Sequence, residues 1–176
     1  MTNKPDKIIV HHTGGSDTNP LADTSSHTFE MIDALHRAKG WGGCGYHYFI
    51  GKDGRVNQGR QDLEEGAHTI GQNTKSIGIC LAGNFDATLP TSEQTNALKN
   101  LLRQKCKQYL ISEKEIFPHR LFAPKSCYGS KLSDTWAKDL LIDAPVQAPD
   151  QELTMKLRLQ IKILQLKIQI MKLLGR

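Results

Sequence analysis

His11 ends an apolar run, IIVHH, and His119 and Cys127 stand eight residues apart in PHRLFAPKSC. Two imidazoles and one thiolate are a donor set for hydrolytic zinc, which takes three protein ligands and leaves a fourth position for the water it activates. Residue type alone leaves the matter open, because the chain has seven histidines and four cysteines. Most such residues are satisfied structural groups. Cys127 has a second chemistry available, as a thiol nucleophile, which needs a base and electropositive surroundings.

The elements around these residues are legible. The β-branched run at 8 to 12 predicts a buried strand that delivers His11 at its carboxyl end. A helix is expected from about Ser26 to Ala38, with Phe29, Ile32, Leu35 and His36 at helical spacing and Gly40 closing it. His27 and His36 then sit on that helix as bystanders. Tyr46 to Ile50 and Arg55 to Asn57 flank Gly51-Lys52-Asp53-Gly54 as a hairpin, and SIGICL at 76 to 81 reads as a central strand. Thr91-x-x-Gln94 is a capping box opening a helix whose expected buried face is Leu98, Leu101, Leu102, Cys106, Tyr109 and Leu110. A short strand or turn near Ile116 presents His119, and a last helix at Asp134 to Leu141, capped by Ser133, closes the domain. Interspersed strands and helices predict an α/β fold, a single domain with a central mixed β-sheet flanked by helices.

Four stretches carry more than secondary structure: IIVHHT at 8 to 13, GWGGCGYHYFIGKDGRV at 40 to 56, GAHTIGQNTKSIGICLAGN at 66 to 84 and PHRLFAPKSCYG at 118 to 129. In this order and spacing the chain resembles the zinc-dependent N-acetylmuramoyl-L-alanine amidases of the phage-lysozyme and peptidoglycan-recognition-protein family, over roughly residues 6 to 142. The resemblance implies a zinc ion on His11, His119 and Cys127, a transition-state-stabilising Lys125 and a catalytic Tyr46. It also implies a substrate groove at 66 to 73, with His68 and Asn73 facing sugar and stem peptide. Trp41, in the Gly-rich turn, is a further candidate substrate contact, although turn chemistry explains that segment equally well. His12 and His47 neighbour site residues in strands and so point to the opposite face, as packing or supporting groups.

The implied activity is that of an endolysin-like peptidoglycan hydrolase cleaving the bond between N-acetylmuramic acid and L-alanine. The alternative is a peptidoglycan-binding recognition module that does not cut. Non-catalytic relatives typically lose a metal ligand, often the cysteine, whereas this chain keeps all three.

Charge separates the body from the tail. Residues 151 to 176 hold six basic residues against Glu152, a net +5 that equals the net charge of all 176 residues. The neutral body gives no footprint for nucleic acid. Four cysteines without close spacing, and an N-terminus MTNKPDK without an apolar segment, lead to the expectation of synthesis in the cytoplasm without a signal peptide and action on the wall after release. Residues 143–152 read as a linker. Residues 153–176 carry a seven-residue repeat, LRLQIKI then LQLKIQI, and form a basic amphipathic helix. Its two apolar stripes are offset by about 200° at ~100° per residue, which favours a homo-oligomer through the tail over contact with an anionic membrane or lipopolysaccharide.

Overall fold

The computed structural model describes residues 2–16, 18–142, 151–173 and 175. The chain divides into two compact units after Ile142. In the first, β1 (Lys7–His12), β2 (Tyr48–Ile50), β3 (Val56–Gln58), β4 (Ser76–Leu81) and β5 (Ile116–Pro118) form one sheet in the order β3-β2-β4-β1-β5. β1 is parallel to β4 and β5, β2 is parallel to β4, and β3 pairs antiparallel with β2, so the sheet is mixed. SIGICL is its central strand and is buried throughout, as a strand covered on both faces must be.

Alternation along the strands builds two apolar layers. Ile8, Val10, Tyr48, Ile50, Ile77, Ile79 and Leu81 pack with Leu98, Leu101 and Leu102 of α2 (Ser92–Tyr109) and with Ala137 of α3 (Trp136–Asp139). On the other face, Phe49, Cys80 and Ala82 pack with Ile32 of α1 (Phe29–Ala38) and partly buried Tyr46. The smaller layer is the floor of the site.

Several expected boundaries shift for local reasons. α1 begins at Phe29, because Thr28 is its cap and accepts from the Met31 N–H, so His27 precedes the helix. The capping box at Thr91 and Gln94 forms as expected. Leu110 does not join the buried face; it takes the left-handed C-cap conformation at φ 55°, is 92% exposed, and turns the chain so that Ile111 fills the core instead. The last helix is one turn, Trp136–Asp139, and Ser133 does not cap it: its carbonyl accepts from the Tyr128 hydroxyl and the Trp136 N–H.

α2 also buries Lys105, a residue its apolar pattern gave no reason to place inside. Its Nζ donates to Asp62 Oδ2 at 2.6 Å, while the hydroxyls of Tyr48 and Tyr109 donate to the same carboxylate at 2.7 and 2.9 Å. Burial alone pushes the Asp62 carboxyl up, but the hydrogen bonds from Lys105, Tyr48 and Tyr109 outweigh it and hold the group below the usual carboxylate range. A depressed carboxylate contributes stability that is present above its unfolded pKa and is lost as pH falls through the folded one. Lys105→Met should therefore cost about 3–5 kcal/mol, since it leaves a buried charge unpaired. Urea unfolding near neutral pH should show that loss, and the gap to wild type should narrow as the carboxylates protonate. An unchanged midpoint at neutral pH would remove the pair from the account.

The second unit holds α4 (Gln151–Leu173). Of the linker expected at 143–152, residues 143–150 lie outside the described residues, and Gln151 and Glu152 open the helix.

Candidate active site

The register of two parallel strands creates the first half of the site. Val10 pairs with Pro118, so the next residue on each chain is a histidine, and the rings of His11 and His119 lie 4.4 Å apart between centroids. Cys127 arrives by a loop that folds back on itself. The Arg120 guanidinium donates to the carbonyls of Gly129 and Leu132, each at 2.7 Å, and to Asp134 at 2.6 Å. From the other side Asp86 accepts from the Ser126 hydroxyl and the Ser130 N–H, both at 2.6 Å. Gly129, at φ 109°, lies so close to Phe85 that a Cβ there would sit 2.4 Å from the Phe85 Cβ, which only glycine tolerates. These contacts bring Cys127 Sγ to 3.8 Å from His11 Nδ1.

One donor atom each from His11, His119 and Cys127 lies within 4.8 Å of the others, the only such group among the described residues. Tetrahedral zinc with ordinary Zn–N and Zn–S bonds spaces its donors about 3.3–3.6 Å apart, so modest closure of the triad suffices. The protonation chemistry agrees. Burial, followed by His68, His119 and His12, holds the His11 imidazole far below its usual range; burial and then Lys125 lower His119 to about 4. Both are neutral near pH 7, the form that ligates. Burial pushes the Cys127 thiol up to about 12, against the His12 N–H and Lys125, which lower it. A metal bound here would have to displace that proton, so its apparent affinity would rise with pH.

Around the triad lies a cleft of about 1090 Å³ lined by Tyr46, His68, Lys125 and Trp41 among others. The Tyr46 ring stands 5.1 Å from His11 and 5.3 Å from His36. Burial, then Cys80 and Cys127, keep its hydroxyl well above the usual phenol range, so it stays protonated as a donor. Lys125 is exposed on the ligand loop. Trp41 is 40% exposed at the rim, its ring 4.7 Å from that of His36 and under Lys39 Nζ at 5.2 Å. Asn73 is not part of the cleft lining. Its Oδ1 accepts from the N–H groups of His68 and Thr69 at 3.0 and 2.8 Å, so it shapes the loop that carries His68. Gly45 brings the tyrosine turn against that loop, since a Cβ there would lie 2.3 Å from the Ala67 carbonyl oxygen.

The remaining buried histidines hold backbone. Nδ1 of His12, His36 and His47 accepts from the N–H of Phe85, Gly45 and Gly78 respectively, at 2.9, 2.9 and 3.0 Å. For His12 and His47 this is the supporting role their strand position implied. His36 is no bystander: it is buried, fixes the turn before Tyr46 and lines the cleft. Its spacing of four from Ile32 was the signal, since that places both on one helix face. Asp86 and Arg120 had no sequence signal, because their partners are the backbone and side chains of one irregular loop.

The Amidase_2 family, described as N-acetylmuramoyl-L-alanine amidase, matches residues 1–131. The endolysin of Escherichia phage T7 is 35% identical over 143 residues, 78% of this chain and 89% of its own. Peptidoglycan-recognition protein SC2 of Drosophila melanogaster is 33% identical over 134 residues, 73% of this chain and 72% of that one. Among solved structures, the N-acetylmuramoyl-L-alanine amidase LysC from Clostridium intestinale URNW superposes with a TM-score of 0.69 at 30% identity, covering 79% of this chain and 86% of its own. With the family matched over residues 1–131 and a relative 35% identical over 143 residues, the chain belongs to the N-acetylmuramoyl-L-alanine amidase family.

Proposed function

We propose that His11, His119 and Cys127 hold a zinc ion with which this peptidoglycan hydrolase cleaves the amide between the lactyl group of N-acetylmuramic acid and L-alanine of the stem peptide. The observation that carries the reading is the triad itself, with two imidazoles and a buried thiol converging within 4.8 Å at a cleft. Bound zinc supplies Lewis-acid polarisation of the carbonyl and lowers the pKa of a water molecule toward ~7. Tyr46, kept as a phenol, donates a hydrogen bond to the attacked carbonyl or orients the water. The Lys125 ammonium faces the charge that develops on the carbonyl oxygen. Trp41 offers an exposed aromatic face at the rim for sugar or peptide, and His68 lines the groove wall. Relatives named for peptidoglycan recognition keep a binding-only reading in view, and the complete donor set favours cleavage over it. Chelation of the purified chain should abolish release of new amino groups from cell walls, and zinc should restore it; release that survives metal removal would refute the metal-dependent mechanism.

Action at the cell wall after release from the cell of synthesis is part of this reading. Among the described residues no helix is long and apolar enough to cross a membrane. For α4 we propose self-association. Its described apolar side chains, among them Leu159, Ile163 and Leu166 on one stripe and Ile161, Leu164 and Ile168 on the other, are all exposed. A helix lying on lipid hides one face, whereas partner helices cover two. Light scattering should give a multiple of the chain mass for the full chain and a monomer mass for a chain ending at Pro149. Equal monomeric masses would reject assembly, and liposome binding lost with the tail would support anionic lipid instead.

A further inference from the structure

The imidazole of His11 has two nitrogens and two different neighbourhoods. Nδ1 faces Cys127 Sγ at 3.8 Å, while Nε2 points away from the triad to His68 Nδ1 at 3.1 Å, with Thr69 Oγ1 at 3.4 Å. Only one nitrogen of a neutral imidazole carries hydrogen, and the partner of the other decides which. The hydrogen bonds around His68 set a direction. Ser76 Oγ donates to the Gln72 carbonyl at 2.8 Å, so its lone pairs face His68 Nε2 at 3.4 Å. His68 then carries its hydrogen on Nε2 and presents Nδ1 as an acceptor for the His11 Nε2–H, which leaves the His11 Nδ1 lone pair free toward Cys127.

The seat of His68 is as specific as its bonds. Its ring lies flat on Gly78 of the central strand, where a Cβ would come within 2.5 Å of Cγ and Cδ2, and a Cβ on Gly66 would come within 2.5 Å of Cδ2. Two glycines and the Asn73-capped turn fix the ring where Nδ1 meets His11. Thr69 Oγ1, 3.0 Å from His68 Nδ1, closes the triangle.

We propose that His68 is a positioning residue for the metal site: through the sequence Gln72, Ser76, His68 it fixes the tautomer and orientation of His11 so that Nδ1 is the donor atom. This rests on the zinc reading above and assigns His68 a task other than holding substrate. Groups that orient a metal-bound histidine in this way are worth about 10–100-fold in metal affinity.

The test is zinc affinity, measured by competition with a chromophoric chelator on the full-length chain. His68→Ala should weaken zinc binding by about 10–100-fold. His68→Asn, whose Oδ1 can stand where Nδ1 stood, should restore most of the affinity, and Gly78→Ala, which displaces the ring without changing its chemistry, should weaken it as His68→Ala does. Unchanged affinity in His68→Ala, or equal loss in the alanine and asparagine variants, would overturn the proposal. A raised KM with wild-type zinc affinity would assign His68 to the substrate. Failure of the zinc reading itself looks different: the wild-type chain would then bind zinc no better than its Cys127→Ser variant.

Discussion

Cys127→Ser and His119→Ala should each abolish stoichiometric zinc binding and lower turnover by on the order of 1,000-fold or more, since the metal is asked for several kcal/mol of barrier and ~1.4 kcal/mol is tenfold. Cys127 is buried and accepts from the His12 N–H at 3.4 Å, so serine fits the space but offers a harder, less ionised donor. Stability should follow the metal. Wild-type chain at zinc 100-fold above Kd gains about 2.7 kcal/mol from linkage, so its Tm should fall on chelation, while the variants should show no such change. Wild-type metal content in both variants would make the ligand assignment wrong.

Lys125→Ala and Tyr46→Phe should behave in the opposite way, keeping zinc and fold while losing about 100-fold or more in kcat, the usual cost of one donor to a developing oxyanion. Lys125 is exposed on the loop that carries Cys127, so its truncation removes charge without opening the core. Tyr46→Phe keeps the ring against His11 and His36 and removes only the hydroxyl. Wild-type turnover in zinc-loaded Lys125→Ala would end the proposed role of that lysine.

Local signals account for what was legible in the sequence. The apolar run into His11, the Gly51–Gly54 hairpin and the Thr91–Gln94 box each depend on neighbours in the chain, and each has the expected structure. The convergence of His11 and His119 depends on strand register, Val10 against Pro118, which no single strand encodes. Likewise the Lys105–Asp62 pair and the His68–His11 contact join residues 43 and 57 positions apart, and only the assembled sheet brings them together. Leu110 and Ile111 show the limit of periodicity: both are apolar at the helix end, and the left-handed cap decides which of them enters the core.

The most direct test of the account is mass spectrometry of the products from purified peptidoglycan digested by the zinc-loaded chain. The expected products are stem peptides with a free L-alanine amino terminus and glycan strands whose N-acetylmuramic acid retains a free lactyl carboxylate, both absent with Cys127→Ser. Intact peptide-bearing glycan, with the protein merely bound to it, or cleavage at any bond other than this amide, would contradict it.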